Sequence, residues 1–391
     1  MDEILLYRRD RGWGTRNHVL VLPLVASASG VARAIARGTD AIWVGHEYEP
    51  TPEDLPQNRE RIARTLAGFA ANPNVAAALL IADTPERSAL LDRIRAAGQR
   101  ADLVVVTEAG GFRAALEQGR ERLTALLSGA AAARRERAPV GALILGTECG
   151  GSDALSGITA NPALGAASDH LVDAGGTVVL AETTELIGAE HLLARRAASP
   201  QVAEEIYAII HRYEAVVRAH GEDIRGANPA PGNIEGGLTT IEEKSLGAAK
   251  KGGTRTIRQV VEYAVRPAAP GLVIMDTPGH DIEQMVGMVA GGAQVAVFTT
   301  GRGTPTGSPI VPVIKVATNS HTASRMQDNI DLNAGLILEG TETIESMGRR
   351  IYEAILAVAQ GETTKAERLG HREFSISRYP FGVLDAAGAA R

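Results

Sequence analysis

The sequence predicts an α/β protein made of two Rossmann-like domains with mainly parallel sheets, the second of them loop-rich. Short β-branched runs alternate with amphipathic stretches of helical length, which is the pattern of βα units and a parallel sheet. The chain of 391 residues is long enough for two domains of ordinary size. Its 43 glycines fit an architecture with many tight turns and close helix–strand contacts.

The first predicted domain covers residues 1–137 and consists of strand–helix pairs. Strands are expected in HVLVLPLVA, AIWVG, VAAALLIAD and ADLVVVTEAGG. The helices that follow them are SGVARAIARG, NRERIARTLAGFA, PERSALLDRIRAAG and FRAALEQGRERLTALLSGAAAARRERA. The last helix ends in a charged, alanine-rich segment, and we place the domain boundary there.

The second predicted domain covers residues 138–391. It begins with the strand VGALILG and a glycine-rich loop that contains Cys149, the single cysteine of the chain. The helix NPALGAASDHLVDAG and the strand TVVLAET come next, before two helices and the loop-rich passage GANPAPGNIEGGLTTIEEKSLGAAKKGG. Further strands are GLVIMDT, QVAVFTT and VPVIKVAT, and the helix ESMGRRIYEAILAVAQG follows them.

Composition excludes several classes of function. The net charge is -6 and no basic block occurs, so the chain lacks an electrostatic footprint for nucleic acid. The N-terminus has no apolar signal core, and no apolar run approaches the roughly 20 residues that span a bilayer. A lone cysteine cannot form an internal disulfide. We expect a soluble cytoplasmic protein with no membrane partner.

Polar side chains collect where the strands of the second domain end. In open parallel sheets, ligands bind beyond the carboxyl ends of the strands, so these positions predict one shared cleft. The alternative is that short polar residues merely cap helices and turns. The clusters are Thr147, Glu148, Cys149, Ser152 and Asp153; Glu182, Thr183, Thr184 and Glu185; Asp276, Thr277 and His280; and Thr299, Thr300, Arg302 and Thr304.

Cys149 has three possible roles. A thiolate binds metals or attacks electrophiles, whereas many lone cysteines are small buried core residues. A nucleophile needs a nearby base, which the sequence does not place. The candidate metal partners are Glu182, Glu185 and His191, a mixed soft and hard set that suits Fe(II), Mn(II) or Zn(II).

The stretch FTTGRGTPTGSPIVPVIKVATN offers an anion site. Arg302 in a glycine-rich loop could grip a carboxylate with both arms of its guanidinium. It is not a P-loop, because no Lys-Ser/Thr follows the glycines. Lys315 lies inside an apolar strand and is either an edge residue reaching water or a desolvated base with a lowered pKa.

Two further places carry charged residues with open roles. Lys244 follows TIEE, which looks like a capping box, so Lys244 could belong to a solvated first helical turn. Arg16, Asn17 and His18 stand where a loop enters the first strand, and a histidine in such a place is more often structural. The first domain has no GxGxxG after its first strand, so we expect no NAD binding.

Together the motifs resemble those of the altronate and galactarate dehydratases. The resemblance runs from about residue 7 to residue 379 and rests on segments in the order of that family. It implies a hydro-lyase that converts a sugar acid, an altronate-like aldonate or a galactarate-like aldarate, to a 2-keto-3-deoxy acid. The segments are GTRNHV, TECGGSDALSGITANPALG, ETTELIGAEHLL, PGNIEGGLTTIEEKSLG and FTTGRGTPTGSPIVPVIKVATN.

The resemblance also implies a cofactor and residue roles. Family members typically depend on ferrous iron, with Mn(II) as the other candidate. The metal ligands would then be Cys149, Glu182, Glu185 and His191. Lys315, Lys244 and Arg302 would be catalytic. The substrate would be bound by Arg16, Asn17, Ser152, Asp153, Thr300, Thr304 and Asn319.

Family members often carry a small SAF-type domain before this region, and the sequence shows no such segment. The expectation is therefore a large subunit that works with a separate small SAF-type subunit, in a homo-oligomer. The same form resembles the large subunit of sulfolactate sulfo-lyase, which eliminates sulfite. A third alternative is a non-catalytic subunit completed by the small one.

Overall fold

The computed structural model describes residues 3–51, 54–219 and 221–378. Two parallel sheets and one small antiparallel sheet form the framework. The strands are β1 (Glu3–Arg9), β2 (Gly12–Gly14), β3 (His18–Pro23), β4 (Ile42–Trp43), β5 (Val75–Ala82), β6 (Ala101–Val105), β7 (Arg135–Pro139), β8 (Ile144–Cys149), β9 (Thr177–Leu180), β10 (Ile257–Val261), β11 (Gly271–Met275), β12 (Val295–Thr300), β13 (Val313–Ala317) and β14 (Leu332–Asn333).

Helices separate most of these strands, as the alternating pattern predicts. No helix in the described part of the chain is long and apolar enough to cross a membrane. The α-helices are α1 (Ser29–Ala36), α2 (Pro56–Ala70), α3 (Ala89–Ala96), α4 (Val106–Ala109), α5 (Phe112–Ala131), α6 (Ala160–Asp173), α7 (Glu190–Ala194), α8 (Pro200–Ala219), α9 (Ile224–Ala227), α10 (Pro231–Glu235), α11 (Ile241–Ala249), α12 (Asp281–Ala290), α13 (Ser320–Arg325), α14 (Ile344–Ala359) and α15 (Lys365–Leu369).

The first parallel sheet has the order β4-β3-β5-β6 and is covered on both faces. Successive side chains of a strand point to opposite faces, so each face of β3 packs against different helices. Val19 and Val21 pack with α1 and α5, whereas Leu20 and Leu22 pack with α2 and α3. Burial on both faces explains the continuous apolar runs of these strands.

The second parallel sheet has the order β10-β11-β9-β8-β12-β13-β14. Helix α12 covers one face, where the backbone of Gly146 approaches Met288. Helices α6 and α14 cover the other face and pack with Leu145. The α/β class with mainly parallel sheets is thus confirmed.

The third sheet joins β2, β1 and β7 in antiparallel pairs. The segment AAAARRERAP was expected as the end of a helix, but α5 ends at Ala131 and β7 begins at Arg135. Strand β1 alternates, with Ile4 and Leu6 buried in the core around α6 and α14 and its charged side chains outside. Strand β7 therefore crosses residue 137 and pairs with the first strand of the chain.

We call residues 18–131 the first lobe and residues 140–378 the second lobe. Two buried amides of the first lobe bind backbone carbonyls of the second. Asn72 Nδ2 donates to the carbonyls of Val289 and Ala293, each at 2.8 Å. Asn74 Nδ2 donates to the carbonyls of Gln294 and Ile310, each at 3.0 Å. These bonds fix the first lobe against α12 and the loops beside it.

Candidate functional site

Cys149 lies at the point where the second sheet reverses its order. It ends β8, which pairs with β9 on one side and β12 on the other. The chain places β9, β10 and β11 on one side of β8 before it returns through α12 to form β12. Such a reversal leaves a crevice beyond the carboxyl ends of the strands, the usual ligand site of an open parallel sheet.

Two glutamates reach Cys149 in this crevice. The Cys149 Sγ atom lies 3.6 and 3.5 Å from the two carboxylate oxygens of Glu182, and 3.9 Å from Glu185 Oε2. All three side chains are buried, and their ligand atoms lie within 4.8 Å of one another. The structure thus brings together three of the four residues expected to bind a metal.

Glu182 adopts a left-handed backbone conformation, with φ 66° and ψ 57°. For a residue with a side chain this costs on the order of 1–3 kcal/mol and persists only when the surroundings hold it. The Glu182 N–H donates to Thr277 Oγ1 at 2.8 Å, and the next residue, Thr183, donates its hydroxyl to Asp276 at 2.6 Å. The ends of β9 and β11 therefore hold this turn and aim the carboxylate at Cys149.

Two lysine ammonium groups accompany the acids. Lys244 Nζ lies 2.6 Å from Glu185 Oε1, and both side chains are almost fully buried. Lys251 Nζ donates to Cys149 Sγ at 2.8 Å and forms an ion pair with Glu182. Lys244 is therefore not in a solvated helical turn, although Thr240 does cap α11.

Lys251 was not among the site residues predicted from the sequence. It stands in the short run KKGG, where Lys250 is exposed and Lys251 is fully buried. The two glycines that follow were the only local signal that the backbone is closely packed there. Neither their spacing nor charge shows which of the two lysines turns inward.

Burial controls the protonation of this group. It raises the pKa of the Cys149 thiol to about 12 and the pKa of Glu182 to about 7. Burial alone would lower the pKa of Lys251, but Cys149 and the two glutamates raise it above its ordinary value. At neutral pH the thiol therefore keeps its proton, which a metal ion would have to displace.

Glu148, the residue before Cys149, is buried on the opposite face of β8. Neither of its carboxyl oxygens has a hydrogen-bond partner among the described residues. Burial, and after it the negative charge of Glu182, raises the pKa of Glu148 well above its usual range. Burial therefore favours the protonated form of this carboxyl group.

The donor set fits a divalent transition metal. One thiolate with two carboxylates is a mixed soft and hard set of the kind that Fe(II), Mn(II) or Zn(II) accepts. Metal–sulfur and metal–oxygen bonds of about 2.3 and 2.1 Å place neighbouring ligands roughly 3–4 Å apart. The observed separations of 3.5 to 3.9 Å around Cys149 agree with that spacing.

A cleft of about 490 Å³ opens onto this group. Cys149 and Glu185 form part of its wall, Arg302 is exposed beside it, and a second cavity of about 210 Å³ also borders Cys149 and Asp153. The other polar residues of the larger cleft are Ser152, Thr184, Tyr213, Asn228, Asn233, Lys244, His280 and Asp281. Of these, Tyr213, Asn228, Asn233 and Asp281 were not predicted from the sequence. Tyr213 lies on α8, and the others lie in loops or at helix starts.

A larger cavity of about 950 Å³ lies elsewhere, beside the first lobe. Trp43, His46, Tyr48 and Phe374 line it, and it shares no lining residue with the cleft at Cys149. It lacks the buried acids and lysines that the smaller cleft contains. We therefore place the candidate site at Cys149 despite the difference in volume.

Asp153 and its neighbours shape the wall of the site. The Asp153 carboxylate accepts hydrogen bonds from Ser156 at 2.9 Å, Thr318 at 2.9 Å and Asn319 at 3.1 Å. It is fully engaged within the protein, and the same holds for the Asn319 amide. These side chains connect the ends of β8 and β13.

Thr300 and Thr304 also bond within their own loop. Thr300 Oγ1 accepts from the Gly303 N–H at 3.0 Å, and Thr304 Oγ1 donates to Thr306 Oγ1 at 3.0 Å. Both threonines are buried and neither lines the cleft at Cys149. They set the conformation of the loop that carries Arg302.

Arg16 and Asn17, which were predicted to bind substrate, form their hydrogen bonds with other parts of the protein. Arg16 forms a two-point ion pair with Glu367, with Nε 2.6 Å from Oε1, and donates to the Val358 carbonyl at 2.8 Å. Asn17 Nδ2 donates to the Ala130 carbonyl at 2.9 Å. Both residues fasten the entrance of β3 to other elements and lie outside the cleft.

Lys315 and His191 also lie away from the cleft. Strand β13 is flanked by β12 and β14, so Lys315 is desolvated rather than at an edge, and burial lowers its pKa to about 8. Its Nζ donates to the Pro305 carbonyl at 2.8 Å. His191 is exposed on α7 and does not join the group of Cys149.

Comparison with known proteins agrees with this architecture. Residues 140–380 match the family model "D-galactarate/Altronate dehydratase, C-terminal". Residues 7–131 match the model "D-galactarate dehydratase/Altronate hydrolase, second domain". The chain belongs to the D-galactarate/altronate dehydratase family. It is therefore an enzyme of a hydro-lyase family.

Named relatives span much of the chain. The (2R)-sulfolactate sulfo-lyase subunit beta of Chromohalobacter salexigens is 38% identical over 95% of this chain and 96% of its own. The altronate dehydratase of Escherichia coli is 33% identical over 96% of this chain and 77% of its own. The galactarate dehydratase (L-threo-forming) of Escherichia coli is 45% identical over 59% of this chain and 44% of its own.

Proposed function

We propose that this enzyme dehydrates a sugar acid, an altronate-like aldonate or a galactarate-like aldarate, to a 2-keto-3-deoxy acid with a divalent metal. The observation that carries this proposal is the buried group of Cys149, Glu182 and Glu185, which opens into a cleft with Arg302. The dehydratases among its relatives support the reaction class. The cleft volume suits a small polar substrate.

The reaction requires two bonds to break. The proton leaves the carbon beside the carboxylate, the hydroxyl leaves the next carbon as water, and the resulting enol becomes the 2-keto acid. A bound divalent ion would stabilise the negative charge that develops on the substrate carboxylate. Arg302 would hold that carboxylate at the open end of the cleft.

The remaining groups of the cleft supply charge and proton transfer. The ammonium group of Lys244 is hydrogen-bonded to Glu185 and to Asn228 Oδ1 at 2.8 Å, so it serves as a fixed positive charge. His280 lies on the cleft wall, and we propose it as the base that takes the proton. Burial raises the pKa of Asp281, the next residue, which suits it to protonate the leaving hydroxyl.

The test is anaerobic turnover of D-altronate and of galactarate with added Fe(II), followed as formation of a 2-keto-3-deoxy acid. Turnover of either substrate supports the proposal, and Cys149→Ser should remove most of it. The absence of product from both, with and without a small partner subunit, would refute the sugar-acid assignment.

The metal is proposed to be Fe(II), with Mn(II) as the second candidate. Metal analysis of protein purified without oxygen, beside Cys149→Ser, tests this. We expect stoichiometric metal in the wild type and a marked loss in the variant. Equal metal content in both proteins would show that the thiol is not a ligand.

A second candidate function is elimination of sulfite from (2R)-sulfolactate. The relative from Chromohalobacter salexigens, matched over nearly its full length, favours it. Both eliminations begin by removing the proton beside a carboxylate, so the same cleft serves either. Release of sulfite from sulfolactate, without turnover of sugar acids, would decide for this alternative.

A small SAF-type subunit is proposed as partner. The relative from Chromohalobacter salexigens is named as subunit beta of its enzyme, which supports the presence of a second subunit. Two exposed apolar residues, Ile158 at 52% and Leu246 at 43% exposure, border the smaller cavity beside Cys149 and would suit a covering surface. Turnover that requires the added subunit would show that this chain is incomplete alone.

We further propose a cytoplasmic homo-oligomer with two domains that divide near residue 137. The free, buried thiol of Cys149 suits a reducing compartment. Light scattering of the purified chain tests the oligomer. Limited proteolysis tests the division, since cleavage between α5 and β7 would support it.

A further inference from the structure

Lys251 is a cation placed within the group that is proposed to bind a metal. Its side chain is fully buried, and its Nζ lies 2.8 Å from Cys149 Sγ while it contacts Glu182. The ammonium group thus occupies two of the three donors directly. A lysine side chain is rarely buried so completely unless it is paired.

Each glutamate of the centre has a lysine ammonium group as its partner. Glu185 pairs with Lys244, Glu182 pairs with Lys251, and the buried thiol of Cys149 lies between them. Taking a carboxylate out of water is costly, and an adjacent ammonium group offsets that cost. The two lysines therefore make a folded centre possible before metal arrives.

The backbone around Lys251 is held firmly. Its carbonyl accepts from Ser168 Oγ at 2.7 Å. A Cβ on Gly252 would lie 3.2 Å from Leu180 and Leu272, and Gly253 adopts a positive φ of 66° against Asp169. Any change in the position of the ammonium group must therefore come from the side chain alone.

We propose that Lys251 is the resident cation of this centre and that a divalent metal competes with its ammonium group for Cys149 and Glu182. The inference rests on the proposed metal-binding role of these residues. A metal ion bonded to Cys149 and Glu182 would use the same donor atoms as the ammonium group of Lys251. Because both are positively charged, they would repel each other at short range. Lys251 then lowers the affinity of the site for metal, and it stabilises the site when no metal is bound.

The experiment uses the full-length, metal-free chain and two neutral variants, Lys251→Gln and Lys251→Met. The glutamine variant keeps a hydrogen-bond donor, which favours folding if the methionine variant does not fold. The matched control is Lys250→Met, because Lys250 is the exposed neighbour. Binding of Mn(II) and of Co(II) is measured by anaerobic calorimetry, and thermal unfolding is recorded with and without each metal.

The variants should bind both metals at least about tenfold more tightly than the wild type, since a like charge has been removed. Without metal they should melt at lower temperature than the wild type, and added metal should raise their melting temperature more. The control should match the wild type in both measurements. Equal or weaker binding by the folded variants would overturn the inference.

The outcome is separable from that of the proposed function. Sugar-acid turnover by the wild type, together with unchanged metal affinity in Lys251→Gln, overturns the competition alone. If the variant binds metal more tightly but no tested acid is turned over, the competition between Lys251 and metal is supported and the proposed substrate class is overturned. No metal binding by any of the proteins overturns both the competition and the metal dependence.

Discussion

Arg302 combines exposure with a fixed position at the mouth of the cleft. The threonines of its loop bond to one another and to the backbone, so the loop presents the guanidinium group without taking part in binding itself. Gly232 lies so close that a Cβ there would meet Arg302 Nη1 at 2.1 Å. The guanidinium plane therefore rests on the backbone of α10.

Arg302→Lys should raise the KM for the acid substrate by about tenfold or more, because lysine lacks the two-point geometry for a carboxylate. The value of kcat should fall less. Steady-state kinetics with Arg349→Lys, an exposed arginine on α14, provide the control. An unchanged KM in Arg302→Lys would remove this residue from substrate binding.

Lys315 makes stability depend on pH. Its pKa falls from 10.5 to about 8 because of burial, so between these values the unfolded chain binds a proton that the folded chain has lost. Stability therefore rises with pH across this window, and the contribution is lost as the pH falls through 8. In Lys315→Met this contribution is absent.

Urea unfolding of the wild type and Lys315→Met at a series of pH values tests the point. The free energy of unfolding of the wild type, relative to that of the variant, should rise between pH 8 and 10.5. A constant difference over this range would show that Lys315 keeps its ordinary pKa.

At the scale of elements, the loop between β8 and α6 depends on a glycine. A Cβ on Gly150 would meet Asp281 Oδ2 at 2.2 Å and Phe298 at 2.8 Å. The backbone of this loop thus touches the first turn of α12 directly. This close approach explains why a glycine follows Cys149.

Gly150→Ala should lower turnover by about a hundredfold or more, because a shift of about an ångström in the site is that costly. Metal content should fall as well, since Cys149 is the preceding residue. Gly30→Ala is a suitable control, because a Cβ at Gly30 meets nothing within 4 Å. Full activity in Gly150→Ala would mean that α12 yields without disturbing the site.

The sequence predicted those elements whose apolar pattern is strong. Six strands are buried on both faces, and their continuous apolar runs make them recognisable in the sequence: β3, β5, β8, β11, β12 and β13. Strands β1, β2, β7, β10 and β14 were missed because they are charged, very short or only half-buried. The pairing of β1 with β7 also joins residues far apart in the chain.

The candidate site was also predictable only in part from the sequence. The rule that strand ends converge brought Cys149, Glu182 and Glu185 together correctly. Lys251 was not predictable, since burial of its ammonium group depends on contacts with residues about a hundred positions earlier. That Lys315, inside β13, lies away from the cleft was likewise not predictable from the sequence. The roles of all these residues, and the division near residue 137, stay predictions.

At the scale of the whole molecule, buried amides join the two lobes. The side-chain oxygen of Asn74 accepts from the Thr15 N–H at 2.7 Å, while its nitrogen serves two carbonyls of the second lobe. Removing this side chain leaves buried backbone groups without partners. Each such group costs about 1–3 kcal/mol.

Asn74→Ala should therefore lower the free energy of unfolding by about 2–5 kcal/mol. The exposed Gln118→Ala on α5 should change it by less than about 0.5 kcal/mol. Denaturant unfolding measures both. A loss in Asn74→Ala no larger than that of the control would show that water replaces the amide.

The sheet formed by β2, β1 and β7 bears on the evolution of this fold. Gly14 of β2 and Arg135 of β7 both lie opposite Tyr7 of β1, so the polypeptide leaves for the first lobe and returns from it through the same three-stranded sheet. The first lobe is thus topologically an insertion into the second. Both connections of the first lobe lie in this one small sheet, so the segment could be exchanged or lengthened there. Recombination of genes could act at this junction without disturbing the sheet that carries Cys149.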